Sequence, residues 1–210
     1  ETIQEMRKKY DDLAVVCYIN STAELKQYSD VCVTSANAVK IVKALPNKYI
    51  FFIPDRNLAH YVASQVPEKE FVYNTGYCPV HEKVQVEEIL EAKRMHPEAE
   101  VLTHPECAEA VLKVSDYIGS TSGIIRYAEE SPKQEFIICT ENGVRYELEK
   151  RNPGKKFYFT KTEPVCHDMK KVTLEKILQV LETGENEVFV TDELRENSGR
   201  PLEKMLELAR

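Results

Sequence analysis

Apolar residues along this chain fall in short, mostly unbroken runs. A first series occupies 13–19, 31–33, 49–53 and 70–73, and a second occupies 100–103, 117–118, 135–139 and 156–159. Between the runs, segments such as 37–45 and 84–96 carry apolar residues at helical spacing. Strands alternating with helices predict a parallel α/β architecture. No low-complexity stretch or long linker breaks the alternation.

The two series are copies of one another. "SDVCVTSAN" from Ser29 and "SDYIGSTSG" from Ser115 are offset by 86 residues, and a fixed internal period marks a repeated unit. The same offset lays "VVCYINSTAEL" on "VLTHPECAEAV". It pairs Tyr18 with His104, Asn20 with Glu106, Ser35 with Thr121 and Asp55 with Glu141. Cys78 maps to position 164, two residues from Cys166. Each repeat therefore closes on a loop cysteine placed after its last strand and before a helix. Equivalent loops of related units converge on a shared axis, so the two thiols could bind one metal centre. The other reading makes them loop cysteines without a role. Subtracting the offset from 78 gives −8, ahead of the first residue. A third repeat upstream would put its own cysteine there, and three such thiols would suit an iron–sulfur cluster with one iron left open.

Composition narrows the class. A length of 210 residues suits one large domain or two of about 100. Hydrophobic residues make up 42% and charged residues 30%, as in a folded soluble protein. The net charge of −7 with no basic run argues against nucleic acid and anionic membrane as partners. No apolar run approaches the ~20 residues of a membrane helix. The opening "ETIQEMRKKYDD" is charged, is no signal peptide, and lacks an initiator Met, so a processed or truncated piece is expected. None of the six cysteines forms a C-x-x-C pair, which disfavours a zinc ribbon or a thioredoxin-type site. Free thiols in a reducing cytoplasm are expected. Cys17, Cys32 and Cys139 sit in apolar strands and read as core. Cys107, at an expected helix start, reads as packing ahead of reactivity.

Polar residues gather where strands end, the usual place for ligands in open parallel sheets. Alternation puts Tyr18 and Asn20 on one side of the first strand's end, and His104 and Glu106 on one side of its copy. A histidine and a carboxylate so placed could transfer protons. The competing reading takes "NSTAE" and "HPE" as helix starts, with Ser21 and Glu24 as a capping box and Pro105 in a first turn. It explains those three residues but not Tyr18 or His104. The second strand of each repeat ends in "TSAN" or "GSTSG". There Ser35, Ser120, Thr121 and Ser122 are either N-caps or ligands for a carboxylate or phosphate. His81 lies three residues after Cys78 and reads as a helix cap rather than half of a zinc pair. "PVCHDMK" repeats the arrangement with Pro164, Cys166 and His167.

Taken together, "YINSTAE", "VTSANAVKIV", "PDRNLAHYVA", "GYCPVH", "HPEC", "SDYIGSTSGIIRYA" and "VCHDMKKVTLEKIL" resemble the quinolinate synthases, bacterial and archaeal enzymes of de novo NAD synthesis. The resemblance spans essentially the whole chain, in order. It implies repeated three-layer α/β/α domains with short parallel sheets, in a pseudo-threefold arrangement in the full-length family. Residues 1–80 would be the second repeat and 81–210 the third repeat plus C-terminal helices, with the first domain absent. It implies a 4Fe–4S cluster held by one cysteine per domain, here Cys78 and Cys166, with the open iron as a Lewis acid. The implied reaction is a transferase condensation of iminoaspartate with dihydroxyacetone phosphate to quinolinate, releasing phosphate and water. Glu106, His104 and Tyr18 would be catalytic, with Glu106 the acid/base. Tyr18, Asn20, Ser35, His104, Glu106 and Thr121 would bind substrate. The resemblance further implies a cytoplasmic enzyme in functional contact with L-aspartate oxidase or aspartate dehydrogenase as its source of iminoaspartate.

Lacking the first domain, the chain by itself is expected to be inactive. One rival is a non-catalytic α/β ligand-binding fragment. Another is a zinc hydrolase using His81, His104 and His167, disfavoured because these histidines lack H-x-x-x-H spacing.

Overall fold

The computed structural model describes residues 2–210. The first unit comprises α1 (Thr2–Lys9), β1 (Leu13–Tyr18), α2 (Ala23–Lys26), β2 (Val31–Val33), α3 (Ala38–Ala44), β3 (Tyr49–Ile53), α4 (Arg56–Gln65) and β4 (Glu70–Tyr73). The second comprises α5 (Val86–Met95), β5 (Glu100–Thr103), α6 (Glu109–Leu112), β6 (Tyr117–Ile118), α7 (Thr121–Glu130), β7 (Glu135–Cys139), α8 (Arg145–Arg151) and β8 (Lys156–Phe159). Two C-terminal helices follow, α9 (Leu174–Thr183) and α10 (Asp192–Ala209).

Each unit is a four-stranded, all-parallel sheet with the same order, β2-β1-β3-β4 and β6-β5-β7-β8. The α/β expectation and the repeat therefore hold. The apolar runs are unbroken because each sheet is covered on both faces. In the first, Val16, Val33 and Phe52 pack on Ile41 and Leu58 on one side. Val15, Cys17, Cys32 and Phe51 pack on Ile3 on the other. In the second, Val101, Ile137 and Cys139 face Ile89 and Ala92, while Leu102, Phe136 and Ile138 face Ile124 and Leu148.

The helix starts differ in detail from expectation. Thr22, not Ser21, caps α2, accepting from the Leu25 N–H at 3.3 Å. The Ser21 hydroxyl instead turns back to donate to the Tyr18 carbonyl at 2.9 Å. Pro105 is not in a first helical turn, because α6 begins only at Glu109 and residues 104–107 form a tight turn. That turn also takes Cys107 off the helix start and buries it. α9 displays Leu174, Leu178 and Leu181 to solvent. α10 returns to the first unit, where Met205 and Leu208 pack against its core and cover the edge at β2. A covered edge offers no unpaired strand to another chain.

Candidate active site

The carboxyl ends of both sheets open onto one cleft of about 860 Å³. Tyr18, Asn20, Ser35, Cys78, His104, Glu106, Thr121 and Cys166 all line it. The structure thus brings every one of the expected site residues to a single cavity between the two units.

At its centre is one carboxyl oxygen. Glu106 Oε2 lies 3.2 Å from His104 Nδ1, 3.5 Å from His81 Nδ1 and 3.4 Å from the Tyr18 hydroxyl, which donates to it. The group draws on both repeats. Tyr18 ends β1, while His104 and Glu106 come from the turn after β5. They reach the cleft through that turn, in which the Cys107 N–H returns to the His104 carbonyl at 3.0 Å, rather than through strand alternation. The Glu106 N–H points at His104 Nδ1 at 3.4 Å, and His104 Nε2 lies 3.3 Å from Ser35 Oγ. The two imidazoles stack with centroids 4.6 Å apart.

All four groups are buried, and burial sets their charge. It pushes the Glu106 carboxyl up to about 8, with the Asp55 charge adding to it. It lowers His81 to about 4, and lowers His104 to about 3 with help from neighbouring His81. Tyr18 is pushed up by burial and then by the Glu106 charge. The centre is therefore neutral imidazoles around a carboxyl poised near neutrality, an arrangement suited to holding and passing a proton.

His81 is a correction. It begins a short 3₁₀ turn over His81–Lys83 but caps nothing. Nδ1 lies 3.2 Å from Cys78 Sγ and Nε2 lies 3.0 Å from Thr140 Oγ1. The C-x-x-H spacing was the signal for it. Cys78, His81 and Glu106 each offer one ligand atom, all within 4.8 Å of one another. His167 belongs elsewhere, beside Lys83 and Val165 in a separate small cavity. That placement removes the three-histidine zinc reading.

Each cysteine loop is held by an acid at the same repeat position. Asp55 caps α4 through the Leu58 N–H at 2.7 Å and accepts the Cys78 N–H at 2.8 Å. Glu141 accepts the Gly143 N–H at 2.7 Å and the Cys166 N–H at 3.2 Å. Gly76 is required by close approach, since a Cβ there would lie 2.4 Å from the Pro54 carbonyl oxygen. Both thiols are half-buried and free. Burial pushes the Cys78 thiol up, its hydrogen bond from His81 notwithstanding.

The hydroxyl positions divide. Ser120 is an N-cap, accepting from the Gly123 N–H at 3.1 Å, and Ser122 pairs with it. Ser35 and Thr121 are not caps and face the cleft. Sequence reasoning missed Asn57, Thr140 and Lys170. Buried Asn57 on α4 donates to the Glu106 carbonyl at 3.0 Å and to Glu82 at 2.7 Å, tying the first unit to the turn of the second. No local pattern marked it, since its partners lie 25 and 49 residues away in the chain. Lys170 is the one Lys or Arg lining the cleft among the described residues, 3.1 Å from Glu141.

Duplicated parallel sheets, paired loop thiols and a buried Glu–His–Tyr centre define an α/β enzyme with its site between two repeats. Comparison with known proteins places the chain within one group of such enzymes. Residues 1–207 match the family described as quinolinate synthetase A protein, and the chain belongs to that family. It is 55% identical over 209 residues to quinolinate synthase of Fusobacterium nucleatum, covering 99% of this chain and 69% of that protein. It is 47% identical to the Clostridioides difficile quinolinate synthase and 46% identical to that of Caldicellulosiruptor saccharolyticus, again covering 69% of each. No helix among the described residues is long and apolar enough to cross a membrane.

Proposed function

We propose that the chain carries two of the three parts of a quinolinate synthase, condensing iminoaspartate with dihydroxyacetone phosphate to quinolinate, phosphate and water in NAD biosynthesis. The observation that carries this reading is the meeting of Cys78 and Cys166 in one cleft with Glu106, His104 and Tyr18. Soft thiolates suit an iron–sulfur cluster. The donor set fits, since two free thiols on equally braced loops face one cavity. When bound, a 4Fe–4S cluster with an open iron supplies Lewis acidity toward a substrate oxygen or nitrogen.

The chain's own residues do the rest. Ser35 and Thr121 hydroxyls, with Asn20, receive the carboxylates or the phosphate. Lys170 adds a positive charge at the rim. Glu106 holds or releases a proton at Oε2, and His104, braced by Ser35, keeps that carboxyl oriented. Tyr18 donates toward the same oxygen and closes it from water. Iminoaspartate is unstable in water, so supply by L-aspartate oxidase or aspartate dehydrogenase in the cytoplasm suits this chemistry.

The test is anaerobic iron and sulfide content with quinolinate formation from the two substrates. It is run on this chain and on the chain joined to whatever coding sequence precedes it in its gene. Iron, sulfide and turnover in the joined form, lost in Cys78→Ala and in Cys166→Ala, are expected. The 210-residue chain alone is expected not to turn over. Metal-free, inactive protein in both forms overturns the reading in favour of a non-catalytic ligand-binding module.

A further inference from the structure

The cysteines outside the cleft form two groups with opposite surroundings. Cys107 and Cys139 lie among Val84, Ile89 and Val101, and burial pushes both thiols up. Cys17 and Cys32 differ. They are register partners on adjacent strands β1 and β2. Their Cα atoms are thus about one strand spacing apart, ~4.8 Å, inside the range of roughly 4.4–6.8 Å that a disulfide spans. Both point to the same face of the sheet.

Their neighbours are unusual for core thiols. Cys17 Sγ lies 3.2 Å from Ser21 Oγ. The Lys26 ammonium is buried beside them, donating to the Ser21 carbonyl at 2.5 Å. Lysine is seldom buried without a reason in its surroundings. Cys17 is held below the ordinary thiol value by the hydrogen bond from Cys32. Ser21, Ser29 and the Lys26 charge contribute against the effect of burial. Cys32 is pushed up, first by its hydrogen bond to Cys17. A thiol held low beside one held high is the order expected of an attacking and a resolving cysteine. A cavity of about 490 Å³ borders this face. Its lining residues Leu25, Phe51 and Ile53 pack in the same cluster as the two thiols, which are themselves fully buried, so an oxidant reaches them only when this packing opens locally.

We infer that Cys17 and Cys32 are a peroxide-sensitive dithiol that closes reversibly into a disulfide between β1 and β2. The Cys17 thiolate attacks hydrogen peroxide. Its S–O bond forms, the O–O bond breaks, and hydroxide leaves and is protonated to water. The Cys32 sulfur then attacks the Cys17 sulfenic acid. The S–S bond forms, the S–O bond breaks, and the hydroxide departs with the Cys32 proton as a second water. Two sulfurs lose two electrons and one peroxide gains them. The second repeat has Thr103 and Ile118 at the equivalent positions and no such pair.

Trypsin places the two cysteines on separate peptides, 10–26 and 27–40, each with one cysteine. The chain is purified anaerobically, treated with hydrogen peroxide, unfolded, alkylated and mapped by mass. The expected result is loss of two alkylatable thiols and a linked 10–26/27–40 pair that dithiothreitol separates, with Cys107 and Cys139 still alkylated. Both peptides recovered free, or linked only to other cysteines, overturn the proposal. In Cys32→Ser, Cys17 is expected to stop at a sulfenic acid that dimedone captures. Absence of that adduct removes Cys17 as the attacking thiol.

Discussion

The two repeats share a scaffold and divide the chemistry. Both sheets have the same order, and in both an acid at the same position holds the N–H of a loop cysteine. They part at the end of the first strand. The first repeat supplies a phenol and an amide through Tyr18 and Asn20, the second an imidazole and a carboxyl through His104 and Glu106. The bracing acids differ too. Asp55 is buried and pushed up by that burial. Glu141 resists burial because the Gly143 and Cys166 N–H groups and Lys170 hold it low. The repeats therefore share what positions the loops, together with the cleft-facing thiols and the Ser35 and Thr121 hydroxyls, and differ at the first-strand ends.

The sharpest break of this comparison is a pair of variants in the joined, reconstituted enzyme. Glu106→Gln is expected to lower kcat by roughly 10²–10⁴-fold, the usual worth of a positioned acid/base. Asn20→Ala is expected to act mainly on KM. Equal losses of kcat in steady-state assays would end the division of labour.

Deleting residues 192–210 removes α10 from the first unit only. Exposing the surface under Leu202, Met205 and Leu208 is expected to cost about 3 kcal/mol, given ~1.5–3 per large apolar side chain and their partial burial. Hydrogen exchange should quicken in β1–β3 and stay unchanged in β5–β7. A uniform change would mean that the units unfold together.

Asp55→Ala removes a helix cap and the partner of the Cys78 N–H, and is expected to cost about 2–3 kcal/mol. Glu141→Ala, where the side chain closes only a 3₁₀ turn and a longer bond to Cys166, is expected to cost about 1 kcal/mol. Urea denaturation measures both, and equal values would mean that the loops are braced alike. The smallest effect concerns the corrected cap. Thr22→Ala should cost about 1 kcal/mol, and Glu24→Gln less than ~0.5. The reverse order in the same assay would restore the capping box.

Much of the fold was legible because buried parallel strands write themselves as unbroken apolar runs. Seven of the eight observed strands coincide with such runs, and β1 stops at Tyr18, one residue early. The repeat offset aligned Asp55 with Glu141 and nearly aligned the two loop cysteines without any three-dimensional information. His81 was misjudged because C-x-x-H reads equally as a cap or a site, and only the position of Thr140 and Glu106 across the cleft separates them. Asn57 and Lys170 were invisible for the same reason, since their partners are 49 and 29 residues away in the chain.

The sequence by itself determined the strand–helix alternation, the duplication and the residue types that close each strand, because these are local consequences of burial, period and turn chemistry. Tertiary structure alone decided which of those residues meet. It gathered three partners around Glu106 Oε2, set Cys17 against Cys32, and folded α10 back onto the first sheet. Such contacts depend on the packing of distant surfaces, which no local pattern records.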